Sequence, residues 1–248
     1  MTNRSKSAIS KSSGSKSAGA QSGRAKSTAV DLRIPCQLYL SVCATSDAAN
    51  AERVAAVLDK VAVPSILLEP KPGETLTATH VLPFVETAHA HGVAVMIADD
   101  ACLARTVKAD GIHLNWTPDC LDRFTEAREI AGGRLMIGAD AGTSRHNAMV
   151  FAEAGAEYIA FGLSPTAMEH DTAAANRLDM VEWWADVFEI PCVATGISGV
   201  QQDVVHQLAS AGADFVCVRV PEGKSTADLI DWAETLAHQL DGKQAKAA

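Results

Sequence analysis

Between Leu38 and Leu240, short apolar runs alternate eight times with segments of helical periodicity. The clearest unit spans Val93 to Asn115. Val93–Ile97 is apolar throughout, and the carboxylate pair Asp99-Asp100 follows it. Ala101–Val107 is a short helical segment with Leu103 and Val107 on one side. Asp110-Gly111 then turns the chain into a second apolar run, Ile112–Leu114, which ends on Asn115. Apolar runs without alternation suit strands covered on both faces, and parallel strands need a crossover of this kind.

The same grammar holds along the chain. Strands are expected over 38–43, 64–69, 93–97, 112–114, 134–139, 157–162, 190–195 and 214–220. Helices are expected over 48–60, 76–90, 101–107, 117–131, 144–154, 176–188, 201–211 and 225–240. Strict alternation predicts the α/β class. Eight units in about 210 residues predict a single-domain (β/α)8 TIM barrel with short loops. An open doubly wound sheet is the alternative, but the GxGxxG loop by which such a sheet binds a dinucleotide is missing. A recurring phrase precedes the even-numbered strands: Ala109-Asp110-Gly111, Ala154-Gly155-Ala156 and Ala211-Gly212-Ala213. It marks one helix-to-strand turn used repeatedly.

Residues 1–33 read as a separate, disordered basic tail rich in Ser and Lys, ahead of a barrel over 34–241. Residues 1–30 carry six cations and no acid, so the rest of the chain carries −15, the total of −9 less the tail's +6. An acidic body argues against a nucleic-acid surface. No signal-peptide core and no membrane-length apolar run is present, and a cytoplasmic protein is the expectation. A homo-oligomer remains open. The six cysteines form no CxxC pair. Cys43, Cys192 and Cys217 sit inside apolar strands and read as reduced core residues rather than zinc ligands.

In a barrel, chemistry sits at the C-terminal ends of the strands. Gly196-Ile197-Ser198-Gly199, opening a helix at Val200, suits a phosphate held by backbone N–H groups, with Arg219 adding charge from the next strand. The same glycines would also serve a plain tight turn. Of Asp99 and Asp100, one can face the barrel mouth and hold Mg2+ with a substrate phosphate, while the other caps the next helix. His113 and Asn115 share parity, with Ile112 and Leu114 on the opposite face. His113 therefore points into the mouth if the aliphatic pair packs under the helices, where it is a candidate acid or base. Asp140 and Lys71 are compatible with a ligand contact or with simple solvation. The tryptophans Trp116, Trp183 and Trp184 are expected to pack in the core.

These residues, in this order, resemble the thiamine phosphate synthase family, which also includes the thiazole tautomerases. The resemblance rests on Met96-Ile97-Ala98-Asp99-Asp100, Ala109-Asp110-Gly111-Ile112-His113-Leu114, Gly155-Ala156-Glu157-Tyr158-Ile159-Ala160-Phe161-Gly162 and Pro191-Cys192-Val193-Ala194-Thr195-Gly196-Ile197. It covers the whole folded body and implies a (β/α)8 barrel. It further implies the joining of a pyrimidine diphosphate to a thiazole phosphate, with Mg2+ and release of pyrophosphate.

Position by position, the resemblance is uneven. The family's strand-two motif Gln-x-Arg-Glu-Lys is here Leu67-Leu68-Glu69-Pro70-Lys71, keeping Lys71 and placing Glu69 where a cation is expected. The Asn-Asp-Arg motif is Ala98-Asp99-Asp100, which keeps Asp99 as an implied metal ligand. Asp119 matches the second metal aspartate if the loop after strand four is one residue longer. Thr166 survives from a Thr-rich loop that here lacks its Lys. The strand-seven Gly-Gly is Gly196, with Ser198 and Gly199 close behind, and Arg219 lies near the family's strand-eight serine. The pattern reads as a synthase site eroded at its diphosphate end. A thiazole-phosphate tautomerase-like isomerase with His113 as base, or a catalytically silent paralogue binding a phosphorylated ligand, are the alternatives.

Overall fold

The computed structural model describes residues 35–162, 170–198 and 202–241, and the tail expected over 1–33 lies outside the described residues. Eight strands alternate with eight helices: β1 (Gln37–Cys43), α1 (Ala48–Leu58), β2 (Ser65–Glu69), α2 (Ala78–Ala90), β3 (Ala94–Ala98), α3 (Ala101–Val107), β4 (Gly111–Leu114) and α4 (Cys120–Ala131) form the first half. The second half is β5 (Met136–Asp140), α5 (Arg145–Glu153), β6 (Tyr158–Phe161), α6 (His170–Val187), β7 (Cys192–Ser198), α7 (Gln202–Ala211), β8 (Phe215–Arg219) and α8 (Thr226–Asp241). The strands pair in chain order, all parallel, and β8 closes on β1. The fold is a (β/α)8 barrel, as the alternation predicts.

Side-chain parity sorts the strands into two layers. Leu40, Val42, Ile66, Leu68, Val95, Ile97, Ile112, Leu114 and Ile137 point outward into the core shared with the helices. Tyr39, Leu67, Met96, Ala98, Ala160, Val193 and Cys217 fill the barrel interior. The interior has room for rings only because some strand positions lack a side chain: a Cβ on Gly138 would lie 1.8 Å from the Tyr158 ring.

The recurring turn phrase has a structural purpose. Asp110, Glu157 and Asp214 each stand immediately before an even strand. Their side chains accept the N–H of Val95, Ile137 and Cys192 at 2.8, 2.6 and 2.7 Å, while their own N–H groups donate to the carbonyls of the same three residues. Each acid thus closes the open end of the strand preceding its own, where the ladder would leave an unpaired donor.

Three boundaries differ from expectation by three residues or more. The helix after β4 starts at Cys120, because Thr117–Cys120 first closes a turn (Cys120 N–H to Thr117 O, 3.1 Å). Helix α6 begins at His170, ahead of the expected Asn176. Strand β7 does not stop at Thr195: pairing with β8 continues to Ser198 across a register shift between Ala194 and Ile197. Gly196, at φ 74°, supplies the left-handed step that the irregularity requires. Trp184 is a core residue, fully buried, stacked on Phe188 at 4.0 Å and donating to the Ile190 carbonyl. None of the six cysteines forms a disulfide, and among the described residues no helix is long and apolar enough to cross a membrane.

Candidate active site

A cavity of about 310 Å3 opens at the C-terminal ends of the strands. Ser41, Glu69, His113, Asn115, Asp140, Thr195, Gly196, Ser198 and Arg219 contribute to its wall. On β1, β2, β6, β7 and β8 the inward position after the interior residue lies here, as Ser41, Glu69, Gly162, Thr195 and Arg219, since successive inward positions are two apart. His113 and Asn115 therefore line the mouth, with Ile112 and Leu114 on the helix side.

The floor is a buried polar network. Asp140, 8% exposed, accepts from the N–H groups of Gly142 (2.7 Å) and Gly162 (3.3 Å) and from the Thr195 hydroxyl (3.3 Å). Gly162 is glycine for a steric reason: a Cβ there would lie 2.4 Å from Asp140 Oδ2 and 2.8 Å from Thr195 Oγ1. Burial pushes the Asp140 carboxyl up, against the pull of His113 and these bonds. His113 is 1% exposed, and burial holds its imidazole below the ordinary value, so the ring is neutral at pH 7. Its Nδ1 shares a 2.8 Å hydrogen bond with the Tyr158 hydroxyl, whose own pKa burial pushes far up. A neutral imidazole and a destabilised carboxylate thus face one cavity, an arrangement able to move a proton.

Behind the β7 irregularity lies Arg177 of α6, 2% exposed, whose Nη1 donates to the Thr195 carbonyl at 2.7 Å. Burial lowers its pKa to about 10, which still leaves it fully charged at neutral pH. It fixes the backbone at the step that turns Gly196 and Ser198 toward the mouth. No sequence signal marks this residue: it sits on a helix, close after three alanines, with no motif around it.

Arg219 is the only cation lining the cavity among the described residues. Its Nη2 meets Glu69 Oε2 at 2.8 Å, and the Ser41 hydroxyl donates to the same oxygen. Ser41 is the register partner of Arg219 on β8, and the neighbouring Cys43 pairs with Glu69 on β2. The two charges that stand out in the sequence, an acid on β2 and a cation on β8, are therefore one ion pair spanning β1.

The remaining candidates lie elsewhere. Lys71 is in the β2–α2 loop, in a turn closed by Glu74 N–H to its carbonyl (2.9 Å), and is not part of the cavity wall. Asp100 caps α3, accepting from Leu103 N–H at 2.8 Å. Asp99 adopts a left-handed backbone (φ 60°) and turns sideways toward the β4–α4 loop. It accepts from Asn115 N–H (2.9 Å), Asn115 Nδ2 (2.7 Å) and Arg123 Nη2 (2.5 Å). Asp119 is exposed at the N-cap of α4 and makes no capping bond there. Thr166 and Gly199 lie outside the described residues. Among the described residues, no three His, Cys, Asp or Glu side chains converge as a metal cluster.

The sequence model of the thiamine monophosphate synthase family matches residues 38–220, most of the chain. A thiamine-phosphate synthase of Erythrobacter litoralis is 40% identical over 159 residues, covering 62% of this chain and 72% of the relative. One from Rhodospirillum centenum is 37% identical over 191 residues, covering 74% and 87%. Among solved structures, the thiamine phosphate pyrophosphorylase of Pyrococcus furiosus superposes with a TM-score of 0.61 at 20% identity, over 82% of this chain and 96% of that one.

Proposed function

The chain belongs to the thiamine monophosphate synthase family, and we propose that its barrel mouth forms thiamine phosphate from a thiazole phosphate and a pyrimidine diphosphate. The carbon–oxygen bond to the diphosphate breaks, and the electron pair leaves with pyrophosphate. The thiazole nitrogen then gives its lone pair to the pyrimidine's exocyclic carbon, and no proton need be lost. The observation that carries this reading is the β7–β8 rim. There a glycine step, Ser198 and Arg219 converge on one cavity. Oriented N–H groups with one guanidinium suit a phosphate monoester. In this reading Gly196, Ser198 and Arg219, with Gly199 and Thr166 from the adjoining segments, seat the thiazole phosphate. Lys71 approaches the diphosphate from the β2–α2 loop, and Asp140 and His113 form the floor beneath the rings.

Magnesium is the ion that the family implies, with Asp99 and Asp119 as its expected ligands. The donor set fits poorly: each Asp99 oxygen already accepts a protein hydrogen bond, one from a guanidinium, and Asp119 points into solvent.

The test is thiamine phosphate formation by the full chain from both substrates with Mg2+ present. Product that disappears in Arg219→Ala supports the reading. The paired His113 and Asp140 favour a second reading, proton transfer on the thiazole phosphate alone. Absence of product, with exchange of a thiazole proton into D2O that His113→Gln abolishes, would establish that second reading instead. Binding of thiazole phosphate with neither reaction would mark a silent paralogue.

A further inference from the structure

We propose that Arg123, and not a divalent ion, is the cation that the Asp99 carboxylate is built to hold. Asp99 stands at the end of β3, where a left-handed backbone turns its side chain out of the mouth toward the next loop. Its Oδ1 takes Arg123 Nη2 at 2.5 Å and Asn115 N–H at 2.9 Å, and its Oδ2 takes Asn115 Nδ2 at 2.7 Å. Arg123 is itself held from the far side. Its Nη1 donates to the Asn115 carbonyl at 3.3 Å and to Thr117 Oγ1 at 3.0 Å. The guanidinium is thus fixed by one carboxylate, one carbonyl and one hydroxyl, with 23% of the side chain exposed. Both residues line a crevice between α3 and α4, separate from the mouth cavity.

This geometry is unfavourable for a metal. A divalent ion on Asp99 would have to displace a charge-assisted bond, or share the carboxylate with a guanidinium of like charge. Asp119, the second ligand that the family implies, is exposed and makes no side-chain capping bond at α4. What the arrangement does instead is tie the end of β3 to the loop after β4 and set the angle of Asn115. Asn115 alone of this group reaches the mouth wall. With its N–H and amide nitrogen committed to Asp99, its amide oxygen is the atom left for a ligand. Arg123 and Asp99 are positioning residues for Asn115.

The inference does not depend on the reaction assigned to the mouth, so the experiment reads metal binding with neither substrate present. Mn2+ is titrated into the full chain, and the free ion is followed by its electron paramagnetic resonance signal. Wild type and Asp99→Asn should give the same Mn2+ curve. Arg123→Gln should gain a site, at least about tenfold tighter than wild type, because the carboxylate loses its resident cation. Arg123→Gln/Asp99→Asn should lose that site, and Arg123→Lys, which keeps the charge, should not gain it. A wild-type Mn2+ site that Asp99→Asn removes would overturn the proposal, and this comparison holds even if Arg123→Gln does not fold. A folded Arg123→Gln without a new site would overturn it too. Arg123→Gln should also raise the KM of a mouth ligand with little change in kcat, as expected when Asn115 is loosened rather than the reacting groups removed.

Discussion

The two sides of the barrel rim treat charge in opposite ways. At β7–β8 the backbone is bent by Gly196, braced from behind by the buried Arg177, and bordered by the Arg219 side chain at the cavity. At β3–β4 the charges face each other: Asp99 is bound by Arg123 and Asn115, and Asp100 is spent on capping α3. One side keeps its cation on the cavity wall, paired with Glu69; the other has turned its charges onto each other and onto a helix end, away from the mouth. Glu69 stands between the two and is joined to the first side through Arg219. An anion entering this mouth meets the one cation that lines it among the described residues at β8, beside the glycine step of β7.

The largest effect should therefore come from Arg219. Replacing it with Ala removes the only cation lining the cavity among the described residues and leaves the Glu69 carboxylate with the Ser41 hydroxyl but no cation. Losing a charge-assisted hydrogen bond to a bound phosphate costs about 1.5–3 kcal/mol, so kcat/KM should fall by about 10- to 100-fold. Steady-state kinetics on Arg219→Ala and Asp99→Asn measure the contrast directly. An Asp99→Asn loss equal to that of Arg219→Ala would abolish the asymmetry between the two sides.

Next in size is the floor on which the β7–β8 side rests. Gly162→Ala would push a methyl group against Asp140 and Thr195, whose nearest oxygens lie at 2.4 and 2.8 Å from the added carbon. Overpacking of this kind costs about 1–3 kcal/mol. In a chain of this size, that lowers the melting temperature by several degrees, on the order of 2–4 °C per kcal/mol. Calorimetry reads this loss. The phosphate affinity should fall with it, because Thr195 carries both the Asp140 bond and the carbonyl that Arg177 holds.

How much of this could be read in the sequence follows from which interactions are local. The barrel was legible because apolar runs, glycine turns and helix periods are local patterns. The inward direction of His113 and Asn115 followed from parity alone. The continuation of β7 to Ser198 was not legible, since a glycine step inside a strand and a glycine turn after one look the same until a neighbouring strand is placed. The Glu69–Arg219 pair joins residues 150 apart in the chain, and each reads as an isolated oddity until β1 brings β2 and β8 to either side of it. Of Asp99 and Asp100 one was expected at the mouth, and only the family resemblance singled out Asp99. Strand parity instead puts Asp99 on the helix side of β3, and its partner there, Arg123, is a helix residue with no motif around it.

A smaller effect separates the floor's two titrating groups. Burial holds His113 below its ordinary 6.5, so the unfolded chain takes up this proton first as pH falls. Stability therefore drops as pH falls through 6.5 and levels off below the folded value. Asp140 has the opposite sign. Its pKa is raised from 3.8, so its cost is absent at low pH and grows as pH rises through the folded value. Melting curves at pH 7 and pH 5 should show an acid-side loss in wild type that shrinks in His113→Gln. A loss of unchanged size would mean that another group carries it.

The smallest effect compares two aspartates at helix starts on the β3–β4 side. Asp100 and Asp119 both occupy N-cap positions, of α3 and α4. Asp100 accepts Leu103 N–H at 2.8 Å from an extended backbone, the geometry of a working cap, and Asp100→Ala should cost about 1 kcal/mol. Asp119 has a different backbone (φ −99°, ψ 20°), makes no capping bond and is exposed. Asp119→Ala should change stability by less than about 0.5 kcal/mol. Denaturant titrations of the two variants read the difference. The reason is geometric: an N-cap carboxylate contributes only when an extended backbone aims it at the first free N–H groups, and the turn at Thr117–Cys120 has already rotated Asp119 away. If Asp119→Ala leaves the fold unchanged yet weakens pyrophosphate binding in the presence of Mg2+, then this side of the rim keeps one charge for a ligand. The contrast with β7–β8 would then be one of degree.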